Sequence, residues 1–335
     1  MRLENTLALT HGELVNSPFV NSFHNIALDA KAVKRGDLFI AFDESSIEDA
    51  VFNGAYGVVF EKPTQITDSE IAWIKVANLE DALKRLLRFA LIDKEITAYK
   101  CDEIILKLAL QVVTEPKFIA LHGDIKSIYK ELSDIEHGSI VLFNPALTST
   151  DLFTNIKELP KHSAQNINII EQTLFETSFI YDNIFYERQL LSPFFMPYLG
   201  QLLYLFKILK INFRLRKFTP IDHFEPIFTN KNFEIKDFGT SDKVLIFEKS
   251  VSLIKNEINF LQKQATWAKI IYILPFTCKN ILDSVQSDIV FLYKSENEIK
   301  NILKSTVFHF ALIVGADKSI LAKPLIKQTQ LTLNF

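Results

Sequence analysis

Four continuous apolar runs alternate with helix-type segments near the end of the chain: KVLIFE (243–248), KIIYILPF (269–276), DIVFLY (288–293) and HFALIVGA (309–316). A strand that is apolar on both faces has to be covered on both, so this pattern belongs to a parallel sheet sandwiched by helices. Ile254, Ile258, Leu261 and Ala265 form one helical stripe between the first two runs, and ENEIKNILK (296–304) forms another helix. A Rossmann-like C-terminal parallel sheet over 229–335 is the expectation.

The same alternation runs through the rest of the chain. In residues 1–93, DLFIAF (37–42), YGVVFE (56–61) and WIKV (73–76) are strand-type. IEDAVFN (47–53) is a short helix closed by Gly54, and Leu79, Ala82, Leu83, Leu86, Leu87, Ala90 and Leu91 share a helical face that Asn78 can cap. In residues 94–228, helices at 102–113 and 124–135 with strands at 118–121 and 139–143 predict a βαβ unit. Three β-rich stretches from 166 onward predict an antiparallel meander, and Leu199, Leu202, Leu203 and Phe206 predict a helix at 198–210, with Pro193 and Pro197 bracketing its start. The fold class expected is therefore α/β, with three consecutive α/β domains at 1–93, 94–228 and 229–335.

Charge narrows the partners. The net charge is −3 over 335 residues, so no strong field favours nucleic acid or an anionic membrane. The longest basic run, FRLRK (213–217), reads as the solvated end of a helix. Cys101 and Cys278 lie far apart, in no metal-binding spacing, and are expected as reduced core residues. No stretch approaches the ~18 uncharged apolar residues of a membrane span, and MRLENTLALTHGELV lacks signal-peptide character, so a cytoplasmic location is expected.

Glycine narrows the chemistry. A phosphate-cradling loop needs glycines so that backbone N–H groups can approach the phosphates. The chain has nine, at 12, 36, 54, 57, 123, 138, 200, 239 and 315, and none precedes a lysine. No Walker A loop exists, and no three glycines have GxGxxG spacing.

LDAKAVKRGDLFIAF (28–42) resembles the first domain of the Mur ligases, the ATP-dependent enzymes that build the peptidoglycan precursor. The branch most similar adds D-alanyl-D-alanine to the UDP-muramoyl tripeptide. Asp29, Val33, Gly36, Asp37, Leu38, Phe39 and Ala41 match that family's motif. NGAYGVVFEKP (53–63) and IKVANLEDALKRL (74–86) match the family's next strand, turn and helix in kind and spacing. Past residue 92 the likeness is one of order and kind. LLSPFFMPYLGQLLYLFKIL (190–209) is similar to the family's late central helix, DHFEPIF (222–228) to its hinge, and KVLIFEKSVSLIKNEINFL (243–261) to the opening of its third domain. The resemblance implies a Mur-ligase-like fold with a reduced, degenerate central ATPase-like domain, and UDP-type substrate contacts at Asp29, Lys31, Gly36 and Asp37.

The departures fall where the chemistry should be. The family's Ser and Arg at the diphosphate are Ala30 and Lys31, and lysine lacks the planar fork. TAYKCDE (97–103) stands where Gly-x-Gly-Lys-Thr-Thr belongs. The His-Asn pair has become Phe195 and Met196, His223 holds the hinge arginine position, and EKSVSLI (248–254) replaces the third domain's Asp-x-Tyr-x-x-Asn-Pro loop. Lys31 is either a diphosphate partner or a solvated loop lysine. Asp37 either orients a ligand or caps the turn after Gly36, and Glu225 is either a hinge remnant beside His223 or part of an ordinary surface pair. His24, His122 and His223 are expected to be structural, and no catalytic or metal set is assigned.

The expectation is a catalytically inactive, pseudoenzyme relative linked to peptidoglycan biosynthesis, without a cofactor. It would bind a UDP-linked cell-wall precursor or a cell-wall synthesis protein. One alternative is an active, divergent amide ligase using ATP and Mg, or another UDP-sugar enzyme. The other is a purely structural adaptor.

Overall fold

The computed structural model describes residues 1–161, 167–279 and 289–321. They form two compact units: Met1–Lys161 with Leu205–Arg214, and the described residues of 162–204 and 215–335. In the first unit, the opening elements are α1 (Leu3–Thr10), β1 (Glu13–Leu14), β2 (Ile26–Ala27), β3 (Leu38–Ile40), α2 (Ile47–Phe52), β4 (Gly57–Phe60), β5 (Ala72–Lys75) and α3 (Leu79–Leu91). Their sheet has the order β1-β5-β4-β3-β2 and is parallel except where β1 meets β5.

Turn chemistry fixes this sheet. Gly36 has φ +96°, and an added Cβ would lie 2.5 Å from the His24 ring, so only glycine fits. Its N–H donates to the Gly54 carbonyl at 3.0 Å and its carbonyl accepts from the His24 N–H at 2.8 Å. Helix α3 opens on Asn78, whose Oδ1 accepts the Asp81 N–H at 2.9 Å, with Glu80 and Asp81 in the first turn and Arg88 in the last, each charge matched to the helix dipole. Leu79, Ala82, Leu83, Leu86, Leu87 and Leu91 are buried. Ala90, expected on the same stripe, lies at its edge and is exposed.

The second sheet of this unit comprises β6 (Thr97–Lys100), then after α4 (Glu103–Val112) β7 (Phe118–Ala120), then after α5 (Ile125–Leu132) β8 (Ile140–Phe143) and β9 (Ile156–Glu158). Its order is β7-β8-β6-β9, and every pair is parallel. One apolar core serves both sheets: Leu83, Leu86 and Leu87 of α3 and Ile125, Ile128 and Leu132 of α5 belong to it together with Val59, Ile74, Val141 and Phe143 of the strands. The returning segment 205–214 joins α4 and β7, with the Phe206 ring edge-on to Phe118 at 5.2 Å and Asn212 donating to Glu115 at 2.7 Å.

In the second unit, β10 (Ile167–Gln172), β11 (Thr177–Tyr181) and β12 (Ile184–Gln189) form the expected antiparallel meander. Its last hairpin turns on Asp182 and Asn183, both at positive φ, the conformation a two-residue connection between twisted strands requires. After α6 (Met196–Leu209) come β13 (Glu225–Thr229), β14 (Lys243–Glu248), α7 (Ile254–Gln264), β15 (Ile270–Pro275), β16 (Val290–Tyr293), α8 (Glu296–Ser305) and β17 (Phe310–Val314). Their sheet has the order β13-β14-β17-β15-β16 and is parallel apart from β13. Strand β13 covers residues expected to form a hinge motif. It is an edge strand, the position in a sheet that tolerates its Pro226. Leu245, Phe247, Ile271, Ile273, Ala311 and Ile313 pack with Ile299 and Leu303 of α8 in its core.

Replacing Asn78 with Ala removes the α3 cap, and because α3 packs in a core common to two sheets the loss is felt globally. The expected cost is about 1 kcal/mol, read as a lower urea midpoint at unchanged m-value.

Candidate functional site

The segment expected to meet a UDP group is built from turns. Asp29 Oδ1 accepts the Lys31 N–H at 3.0 Å and caps the short turn Ala30–Ala32, leaving the Lys31 side chain exposed. Asn53 Nδ2 donates to the Ala30 carbonyl at 3.0 Å, and the next residue, Gly54, accepts from Gly36. The C-terminal end of α2 therefore ties the Asp29–Lys31 turn to the Gly36–Asp37 turn. Asp37 is only 3% exposed. Its Oδ1 accepts from Asn25, main chain (3.2 Å) and side chain (3.3 Å), and its Oδ2 accepts the Lys34 N–H at 2.9 Å. Both oxygens are engaged in holding the turn, the capping role for an aspartate after Gly36.

The strand-to-helix bend after β6 is two residues long, Cys101 and Asp102. The Cys101 N–H donates to the Phe143 carbonyl at 2.9 Å. Burial, reinforced by the charge of Asp102, raises the Cys101 thiol far above its ordinary range, so it stays a thiol. Lys100 Nζ pairs with Glu158 of β9 at 3.2 Å. Glu103 occupies the first turn of α4 and pairs with Lys107 at 2.6 Å. The helix N-terminus thus carries two acidic side chains, Asp102 and Glu103, where an anion site would present open N–H groups to a phosphate.

In the second unit a buried polar cluster lies at the C-terminal end of β14, the end of a parallel sheet where ligand sites form. Glu248 closes that strand. Its Oε1 faces His223 Nδ1 at 2.8 Å and accepts the Ser250 N–H at 2.6 Å, while Oε2 accepts the Phe224 N–H at 3.0 Å. Burial alone would raise the Glu248 carboxyl, but hydrogen bonds from His223 and Ser250, together with the neighbouring Glu257, outweigh it and hold the group below its ordinary value. Glu257 on α7 is fully buried, and burial together with the adjacent Glu248 charge pushes it well above the carboxylate range. Of these two neighbouring buried carboxyls, Glu248 is the one favoured as the charged form and Glu257 the one favoured as the acid.

His223 also lines a cavity of about 260 Å³ walled by the turn between β10 and β11, the segment that follows β12, the 219–228 segment and Phe238. Glu225, weighed in sequence as a neighbour of His223, pairs instead with Lys318 at 2.7 Å. His24 supports the Gly36 turn through its main chain, and His122 lies 3.5 Å from Glu131 on the surface. Sequence reasoning passes over Glu248 and Glu257. The signal available is position, since Glu257 falls on the apolar stripe of α7 between Ile254, Ile258 and Leu261. Cys101 and Cys278 are both buried and free. Among the described residues, no His, Cys, Asp or Glu cluster is arranged to hold a metal ion, and no helix is long and apolar enough to cross a membrane.

The fold that carries these features is that of the Mur ligases, a mixed α/β architecture of several α/β domains. MurF from Acinetobacter baumannii superposes with a TM-score of 0.52 at 9% identity, over 97% of this chain and 99% of that one. The MurF ligase of Thermotoga maritima, solved in complex with ADP, gives a TM-score of 0.47 at 11% identity, over 90% of this chain and 96% of that one. At 9% identity the likeness to the Acinetobacter baumannii protein is one of fold. No family model matches the sequence, and no curated protein matches it.

The acid pair has a measurable signature. Because Glu257 binds its proton more tightly folded than unfolded, it lowers stability progressively as pH rises above the ordinary carboxylate range. Glu257→Gln removes that penalty at nearly unchanged side-chain size. The variant is expected to be more stable than the parent at pH 8, with the advantage shrinking towards pH 4. Glu248→Gln, which removes the charged acceptor of the His223, Phe224 and Ser250 bonds, is expected to cost about 3 kcal/mol at pH 7. Urea unfolding across pH reads both.

Proposed function

We propose that this chain is a Mur-ligase-like protein linked to peptidoglycan precursor synthesis that has given up ATP-dependent ligation and acts by binding a UDP-linked precursor or a cell-wall synthesis protein. The observation that carries this reading is the bend after β6. A triphosphate cradle needs a run of free N–H groups and an unpaired lysine. Here the bend has two residues, the Cys101 N–H is spent on Phe143, Lys100 is spent on Glu158, and carboxylates stand at the helix mouth. Amide ligation through an acyl phosphate requires those parts together, and losing any one costs orders of magnitude in rate.

Retention of the 28–42 motif, with its turns fixed by Asp29, Gly36 and Asp37, supports a binding role for the first domain. The contacts proposed for the UDP group are the exposed Lys31 side chain and the backbone of the Asp29–Lys31 turn, with Asp37 holding that region in shape. The boundaries proposed for the domains are 1–93, 94–228 and 229–335, and the location proposed is cytoplasmic.

Calorimetry with ATP–Mg is expected to give no binding at millimolar nucleotide. Incubation with UDP-muramoyl tripeptide, D-alanyl-D-alanine and ATP–Mg is expected to release no ADP. ADP release that depends on D-alanyl-D-alanine would establish the active-ligase alternative instead. Binding of the UDP-muramoyl tripeptide that weakens in Lys31→Ala would support the precursor-binding role.

A further inference from the structure

Aromatic rings run in unbroken contact across the second unit. Trp267 meets Phe310 at 5.8 Å, Phe310 meets Phe175 at 6.3 Å, Phe175 meets Phe228 at 5.7 Å, and Phe228 meets Phe238 at 5.0 Å. The cavity of about 260 Å³ opens within this band, with Phe175, Phe195, Phe228 and Phe238 among its walls. Apart from His223, whose Nδ1 is held by Glu248, the charged residues that line it are both acids, Glu176 and Glu225.

These two carboxylates are unusually withdrawn from water. Their side chains are 13% and 17% exposed. Their counter-ions come from outside the cavity lining: Arg188 at 3.5 Å and Lys318 at 2.7 Å, both more than half exposed. Arg188 reaches Oε2 of Glu176 and Lys318 reaches Oε1 of Glu225, and a carboxylate has acceptor sites for more than one donor. Aromatic rings also line the cavity, and the quadrupole of a ring attracts a cation to its face. A cavity lined by carboxylates and aromatic rings, with the paired cations outside the lining, favours a cation with an apolar body over a phosphate. The volume lies just under the ~300–1,000 Å³ typical of drug-sized ligands, which suits one ring or a short alkyl chain and excludes a nucleotide.

We propose that this cavity is a binding site for a small organic ammonium ion, its apolar body against Phe228 and Phe238 and its nitrogen toward Glu176 and Glu225. The site lies wholly within the second unit, so it stands or falls separately from the loss of ATP chemistry.

The test uses the full chain and two probes that differ in charge and little in shape, 2-phenylethylamine and 2-phenylethanol. Calorimetry at pH 7 is expected to show the amine binding at least about tenfold more tightly than the alcohol. Glu225→Gln and Glu176→Gln are each expected to weaken the amine several-fold and leave the alcohol unchanged. Phe238→Ala, at a side chain already 44% exposed and therefore tolerant of truncation, is expected to weaken both probes. Equal affinities for the two probes, no heat at millimolar amine, or full amine affinity in folded Glu225→Gln and Glu176→Gln proteins would each overturn the proposal. Circular dichroism of each variant establishes that it is folded before its affinity is read.

Discussion

The first unit depends on one apolar layer that two parallel sheets have in common. Neither sheet is large, and strands β2, β3 and β7 have only two or three residues each. What stabilises them is the layer of leucines and isoleucines from α3 and α5, buried against Val59 and Ile74 on one side and Val141 and Phe143 on the other. Each fully buried Leu or Ile contributes about 1.5–3 kcal/mol, far more than the ladders of such short strands. That dependence explains why turn residues matter here. Gly36, Gly54, Asp37 and Asn78 set where each strand and helix begins, and a displaced start would misalign the faces that enter the common layer.

The elements with strong periodicity are legible in the sequence, because the physics that makes the pattern also makes the structure. The apolar runs of β14, β15 and β17 are continuous because helices and neighbouring strands enclose them, and the leucine stripe of α3 recurs at helical spacing because it faces a core. The meander is legible from its β-rich stretches. Strand β13 is not, because Pro226 and a hinge-like motif both argue against a strand, and only the edge position makes a proline acceptable there. Strand β9, with three residues Ile156–Glu158 half-buried or exposed, has no pattern long enough to detect.

The candidate site is less legible for a physical reason. A glutamate on an amphipathic helix is normally solvated, so residue type places Glu257 at the surface while its position on the buried stripe of α7 says otherwise. Glu248 stands in a stretch that departs from the family pattern, yet it anchors the junction of β13, β14 and the segment beyond by accepting N–H groups from Phe224 and Ser250. Glu225, two residues past His223 in the chain, finds Lys318 instead. Burial depends on tertiary partners, and no single-chain pattern encodes which partner a polar group will meet. The glycine census, in contrast, needs no tertiary information, since a backbone without small residues at a bend is restricted wherever it folds.

Pro226 has a consequence for how the second unit behaves among other proteins. A strand at the border of a sheet offers a row of backbone donors and acceptors to any extended chain it meets, and proline interrupts that row because its nitrogen bears no hydrogen. Strand β13 therefore terminates its sheet chemically as well as geometrically. A sheet with four parallel strands behind one blunted antiparallel border is closed to growth from that side, which limits self-association through that border even at high local concentration.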